Sequence, residues 1–332
     1  MRLRQVAIPW LLAFSFLSMV AVHPTSASSD FEGQVARAVD YLVKRFNPNL
    51  GLIYESDDPG RHWLAKEFND FKWRYNQTYW LYSDNLFAGY ALEPFRRDIA
   101  DRIKRSLQEH RMSPSLLFEA VIGEQIPTIR NAADHIVESS SDHVIMVRRH
   151  DSPIVSYGVY ADLICYRSLQ LFLHGRIQEA HRSLRQAISL WNGKGLDDWS
   201  FRVVDGFHSN QKLALLLYTS KVLGLRYVAY EEMEHHLWSM QKEDGGLASL
   251  SDGEGRLMGS SNTETTALAL LIYNEGLIQS IRYKARLSEA PWMSFYVISI
   301  LFALVTACAL WEVYRCKIAG VRRVFSQYPN SR

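Results

Sequence analysis

The chain has 332 residues, with 37 Lys and Arg against 35 Asp and Glu, so its net charge is only +2. Charges of both signs are interspersed and no basic stripe runs through them, which leaves no footprint for a nucleic-acid backbone. Cys165 is the only cysteine outside the C-terminal apolar run and its tail, so an intrachain disulfide framework is excluded and stability must come from a core.

In chain order, the first element is the apolar run Val6 to Val22, preceded by Arg2 and Arg4 and followed by small residues up to Ser28. It reads as a secretory signal cleaved near Ala27, with an uncleaved signal anchor as the alternative. Either reading exports the domain behind it. The expected organisation is a signal peptide at 1–27, an ectodomain at 28–288, a transmembrane helix at 292–311 and a short basic cytoplasmic tail at 312–332.

Phe31, Val35, Val39, Leu42 and Phe46 recur at helical spacing with charged residues between them, which predicts an amphipathic surface helix. Phe95, Ile99, Ile103 and Leu107 predict a second, and Ile177, Ala180, Leu184 and Ile188 a third. The stretch from Asn47 to Thr78, rich in Gly, Asp, Trp and Tyr, lacks that period and reads as a large loop. Between Asp134 and Ser156, two apolar strands flank Ser139 to Asp142, a pattern that predicts a short β-hairpin.

A different kind of helix alternates with these. Leu86 to Leu92, Val159 to Leu173, Leu213 to Leu223 and Thr265 to Tyr273 are apolar almost all round, so each must be enclosed. They begin alike, at Ser83-Asp84-Asn85, Tyr160-Ala161-Asp162, Ser209-Asn210-Gln211 and Ser261-Asn262-Thr263-Glu264, which is a degenerate internal repeat. An inner ring of apolar helices inside an outer ring of amphipathic ones buries both kinds, so the expected fold is an all-α, α/α toroid with a small β-hairpin insertion. About nine or ten helices are expected where a full toroid has twelve, so the ring is either open or completed by Asn274 to Ser288.

Trp292 to Trp311 is uncharged and about twenty residues long, enough for a helix to cross roughly 30 Å of hydrocarbon. Arg315, Lys317, Arg322, Arg323 and Arg332 come after it, as suits a cytoplasmic end, and Trp292, Tyr296, Trp311 and Tyr314 sit where interfacial aromatics belong. The lipid bilayer is therefore an expected partner, and the expected location is a single-pass cell-membrane protein with its ectodomain outside.

The segments Tyr79 to Ala88, Asp162 to Tyr166 and Asn262 to Leu268 resemble the inner-helix starts of the six-hairpin glycosidase and terpenoid-cyclase-like toroids. Gln241-Lys-Glu-Asp-Gly-Gly246 resembles the Gly-rich turn that recurs in cyclase and prenyltransferase repeats, with Leu247 where a Trp is expected. The resemblance implies a toroid and, through the glycosidases, a glycan or polysaccharide ligand. An Asp-x-Asp-Asp run and a zinc-binding Asp, Cys and His set are missing, so neither a terpenoid cyclase nor a prenyltransferase is implied.

On one rim of such a ring the helix N-termini converge, and their free amides favour oxygen-rich ligands. Glycoside hydrolysis needs two carboxyls facing one bond, one of them protonated. Asp84 and Glu264 are the candidate pair. Both also suit helix starts, since Asp84 follows Ser83 and Ser261-x-x-Glu264 matches a capping box. Candidate ligand contacts are Trp80, Tyr82, Asn85, Asp162, Asp205, His208, Gln211, Asp244 and Asn262, with Tyr160 nearby. Asp205 and Asp244 also precede glycines, where turn residues belong.

Trp63, Trp73, Trp80, Trp191, Trp199 and Trp238 offer flat faces for sugars, and equally suit a wide helical core. Motifs for a metalloprotease, a zinc module, an α/β-hydrolase or a nucleotide hydrolase are missing, so no metal and no cofactor is expected. His235 and His236 are neighbours and face different sides of a helix. The expected function is glycan binding, with hydrolysis through the carboxylate pair; the alternative is a non-catalytic module that holds a protein or polysaccharide partner at the membrane surface.

Overall fold

The computed structural model describes residues 31–56, 77–112, 115–154, 157–200 and 206–326, without the side chains at 131–133, 149–152, 290–297, 312–313 and 316–326. The expected signal at 1–27, together with Trp63, Trp73 and Asp205, lies outside the described residues.

The amphipathic repeats form α1 (Glu32–Lys44), α3 (Arg97–Glu109) and α5 (Ile177–Ile188). Each buries one stripe, such as Val35, Ala38, Val39 and Leu42 of α1. The enclosed helices are α2 (Leu86–Ala91), α4 (Ala161–Leu173), α6 (Asn210–Leu223) and α8 (Thr263–Leu271). Leu213, Ala214, Leu215, Leu216 and Leu217 of α6 are all buried although they point to every side, which only a helix with neighbours all round can achieve. Helix α2 packs on α8, α8 on α6 and α6 on α4, while a 3-10 turn at Phe118–Ile122 touches both α4 and α2. Around them α1 lies on α8, α3 on α2, α5 on α4 and α6, and α7 (Tyr230–Ser239) on α6.

The expected all-α fold is overturned by strands. The protein is mixed α/β, with three small sheets among the described residues. Strands β1 (Phe46–Asn47) and β2 (Leu52–Ile53) pair antiparallel inside what reads in sequence as a loop. The hairpin expected at 134–156 is longer, with β4 (Arg130–Ser139) antiparallel to β5 (His143–Pro153), and β3 (Gln77–Trp80) adds to β5 in parallel. The Gly-rich stretch after Gln241 forms β7 (Ala248–Ser251) and β8 (Leu257–Ser261), and β6 (His208–Ser209) pairs with β7 just before α6 begins. The reason is local: β3 and β6 are too short to show a period of two, and a strand of that length is recognisable only by what it pairs with.

The turn from Gln241 to Gly246 is fixed by packing on α1. Gln241 donates from Nε2 to Gln34 O (2.7 Å) and Gly245 O (2.8 Å), and Arg37 donates to its Oε1 (2.7 Å). Gly245 has φ +90°, and a Cβ there would fall 2.4 Å from Arg37 O; one at Gly246 would meet the Tyr41 ring at 2.3 Å. Only glycines let this turn approach α1 so closely.

Helix α9 (Glu275–Ser326) begins across the C-terminal ends of the enclosed helices. Arg282 donates to Lys221 O and Val222 O at the end of α6, Lys284 to Gly123 O after the 3-10 turn, and Asn274 just before the helix to Tyr90 O in α2. These side chains satisfy carbonyls that a helix end leaves free. Leu277, Ile278, Ile281 and Ala285 are buried on the same face. The expected transmembrane helix is corrected here: among the described residues no helix is long and apolar enough to cross a membrane. Of the run at 292–311, the side chains from Ile298 onward are described, and from there to Trp311 every residue is exposed.

Candidate functional site

The opposite ends of the enclosed helices carry the polar residues. Helix α8 starts at Asn262, whose side chain accepts from Thr265 N (3.0 Å). Since Asn262 is the cap, the capping-box reading of Ser261 and Glu264 does not hold, and Glu264 turns to face α6. There Gln211 donates from Nε2 to Glu264 Oε1 at 2.7 Å. Burial pushes the Glu264 carboxyl up to about 7; the charges of Glu55 and Asp162 add to this, while Arg148 and the Gln211 bond pull it down. Glu264 remains half-buried.

Helix α4 starts against a second network. Its first amide, Ala161 N, donates to Asp198 Oδ2 (2.7 Å), a cap supplied from another segment. Lys212, in the first turn of α6, reaches Asp198 Oδ1 (2.8 Å), Ser200 Oγ (2.8 Å) and Asp162 Oδ1 (3.2 Å). Burial works against the Lys212 charge, yet Asp162 and Asp198 outweigh it and raise its pKa. Asp198 is likewise opposed by burial and still lowered, by Lys212 and the bond from Ser200. Arg148 of β5 donates to Asp134 Oδ1 (2.8 Å), lies 5.6 Å over the Trp80 ring and is about two-fifths exposed. Trp80 in turn donates from Nε1 to Glu55 Oε2 (3.2 Å). These polar groups therefore gather where β3 and β5 meet the N-termini of α4, α6 and α8.

Of the residues expected at this site, Asp162, Gln211 and Glu264 come together. Asp84 is buried in the π-helical turn Leu81–Asn85, takes a bond from Ser83 Oγ (3.2 Å), and adds its charge to the burial that raises the Tyr41 pKa. Asp244 belongs with that group: it accepts from Gly246 N (3.0 Å) and Ser261 Oγ (2.7 Å) and lies 3.5 Å from Arg45. Asn85 is a bracket, accepting from Ile53 N (2.7 Å) and donating to Ile53 O and Trp80 O (both 2.9 Å). His208 is buried with Nδ1 on Leu196 O (3.0 Å). Trp80 and Tyr82 are core residues, whereas Trp199, beside Asp198, is half exposed.

Arg148, Glu55, Lys212 and Asp198 complete the site and were missed in the sequence. Lys212 alone had a signal, a lysine in the first turn of an otherwise apolar helix. Among the described residues no group of three His, Cys, Asp or Glu side chains is placed to hold a metal ion. Compared with known proteins, the chain matches no family model, no curated protein and no solved structure.

Proposed function

We propose that this protein works at a cell membrane with its body outside the cytoplasm, and that a recess where these polar groups gather binds a glycan and cleaves a glycosidic bond. What supports cleavage is a single contrast. Glu264 is held at a pKa of about 7, so it carries a proton to give at neutral pH, while Asp162 beside it is ion-paired with Lys212 at 3.2 Å. An acid that holds a proton, with a second carboxyl group near it, is what acid-assisted hydrolysis requires. Glu264 gives its proton to the leaving oxygen as the glycosidic bond breaks, a water on the opposite face forms the new bond to the anomeric carbon and gives its proton to Asp162, and the exposed Trp199 offers a ring to stack on the sugar.

A second reading has its own support: Lys212 already engages Asp162, which suits a recess that binds polysaccharide without cutting it. Both readings meet one experiment. The purified full-length protein is screened on a glycan array and then for release of reducing ends, alongside Glu264→Gln and Asp162→Asn. Binding with turnover lost in both variants supports hydrolysis; binding without turnover in any form supports the binding module. Unchanged behaviour in both variants removes this recess from consideration.

A further inference from the structure

His208 and His236 take no part in the function proposed above, and both sit where a proton is hard to accommodate. His208 is 1% exposed, and its Nδ1 lies 3.0 Å from Leu196 O. A carbonyl only accepts, so Nδ1 carries the ring proton and Nε2 keeps a lone pair. Among the described residues that buried Nε2 has no partner. The backbone beside Leu196 presses on the ring: a Cβ at Gly195 would fall 2.2 Å from His208 Cγ. His236 of α7 meets the Trp191 ring edge-on at 5.5 Å, and its Nε2 and the Trp191 Nε1 are buried without a partner among the described residues. The β7–β8 turn lies over both segments, since a Cβ at Gly255 would come 3.1 Å from His236 Cε1 and 3.2 Å from Lys194 O. Burial lowers the His236 pKa, nearby His208 lowers it further, and Glu232 opposes them. The other charges around the pair are engaged elsewhere: Lys194 with Glu254 at 2.5 Å, Asp252 with Arg256 at 2.7 Å, Asp197 with Asn192 Nδ2 at 2.8 Å, and Asp198 with Lys212.

We infer from this that His208 and His236 form an acid-operated latch: neutral, they hold the start of α6 against the loop that carries Asp198, and protonated, they release it. The latch sits on a joint. The Leu196–His208 bond and the Asp198–Lys212 pair run between the same two segments, 196–198 and 208–212. A proton added to His208 goes to Nε2, which becomes a buried donor with no acceptor. One added to His236 does the same beside the Trp191 N–H, itself only a donor, and repels the charge on His208. Opening the joint brings water to these nitrogens, and it draws Asp198 away from Lys212 and from the Ala161 amide that starts α4. The folded state favours the neutral His236 ring, so the stability it lends is complete above the ordinary His value of 6.5 and declines as pH falls from there toward the lowered one. The effect on ligand binding rests on the function proposed above; the opening itself does not.

The full chain is followed by hydrogen exchange at about pH 7.5 and about pH 5.5, with rates corrected for the intrinsic effect of pH. The amides of Ala161, bonded to Asp198 Oδ2, and of Asp197, bonded to Leu190 O, are expected to lose about tenfold or more of their protection at the lower pH, and the Leu92 amide, bonded to Ala88 O in α2, about twofold or less. His208→Asn keeps an amide donor for Leu196 O and His236→Phe keeps a ring on Trp191, and neither new side chain takes a proton. Each variant is expected to lose about threefold or less at Ala161 and Asp197. No loss in the native chain, or a loss as large in either variant as in the native chain, overturns the latch. If neither variant folds, NMR of the native chain decides: Cε1 proton shifts of His208 and His236 that move together with the loss of protection support the latch, and any other course overturns it. A native chain that opens in acid but binds no glycan at either pH leaves the latch standing and removes the function proposed above, whereas one that binds glycan and stays closed does the reverse.

Discussion

The Gln211 amide donates to Glu264 Oε1 at 2.7 Å across the starts of α6 and α8, and it is a neutral partner for a carboxyl that burial has pushed up to about 7. A neutral donor orients the group without cancelling its charge. Because the folded pKa lies above the ordinary value of 4.5, the Glu264 contribution to stability is complete below about pH 4.5 and is lost as pH rises through 7. Glu264→Gln keeps the shape and removes the titration. Urea denaturation between those limits is expected to show the native protein losing on the order of 1–3 kcal/mol relative to the variant. Parallel profiles for the two proteins would count against a buried, titrating Glu264.

Lys212 joins two carboxylates, Asp198 at 2.8 Å and Asp162 at 3.2 Å, in a region with little water. Removing the cation leaves both acids facing each other. Lys212→Met is expected to destabilise the fold by about 3–5 kcal/mol, and adding Asp198→Asn should recover part of the loss. Asp198 is held below its usual range, so its stabilisation is present above the ordinary Asp value and is lost as pH falls through the lowered one. Denaturation of the single and double variants decides it: a double variant less stable than Lys212→Met would argue that Asp198 acts only by capping Ala161.

Asn85 spends its whole side chain on backbone, with three bonds to Ile53 and Trp80. It holds β2 against the turn that leads into α2. Asn85→Ala leaves buried groups unsatisfied and is expected to cost about 2–4 kcal/mol, with faster hydrogen exchange at the Ile53 amide than at amides of α6. A variant with native stability and unchanged exchange would mean that water replaces the side chain.

The helices were legible because their apolar residues recur at helical spacing or fill every position, as in Leu213 to Leu217. Of the sheets only the hairpin at 134–156 was legible; β1, β2 and β6 are two residues long, and β6 is defined by a partner far away in sequence, Ser209 pairing with Leu250. At the site, Gln211, Asp162 and Glu264 were legible as polar residues at the starts of enclosed helices. The surroundings of Asp84 were not, since a π-helical turn before α2 carries it near Tyr41. Arg148 lay hidden in a strand whose neighbours gave no reason to single it out, and its meaning comes only from the parallel pairing that sets β5 beside Trp80.

Helix α9 has a part packed on the body and an exposed apolar part, and cutting between them should separate their roles. Up to Ser288 it belongs to the body: Gln125 donates to Ser288 Oγ (2.8 Å), Lys284 to Gly123 O (2.9 Å), and Ile278, Ile281 and Ala285 are buried. A chain ended after Glu289 keeps all of these and loses the exposed apolar stretch, so it is expected to fold, stay in solution and melt within a few degrees of the full protein. A chain ended after Asn274 loses the burial of Leu277, Ile278 and Ile281, together roughly 5 kcal/mol, and leaves the Lys221 and Val222 carbonyls without Arg282. That is a large share of the stability of a domain, so the shorter chain is expected to be unfolded by circular dichroism at about 37 °C. Sedimentation with vesicles completes the comparison: if the chain ended after Glu289 pellets as fully as the full protein, the apolar part of α9 is not what holds the protein at lipid.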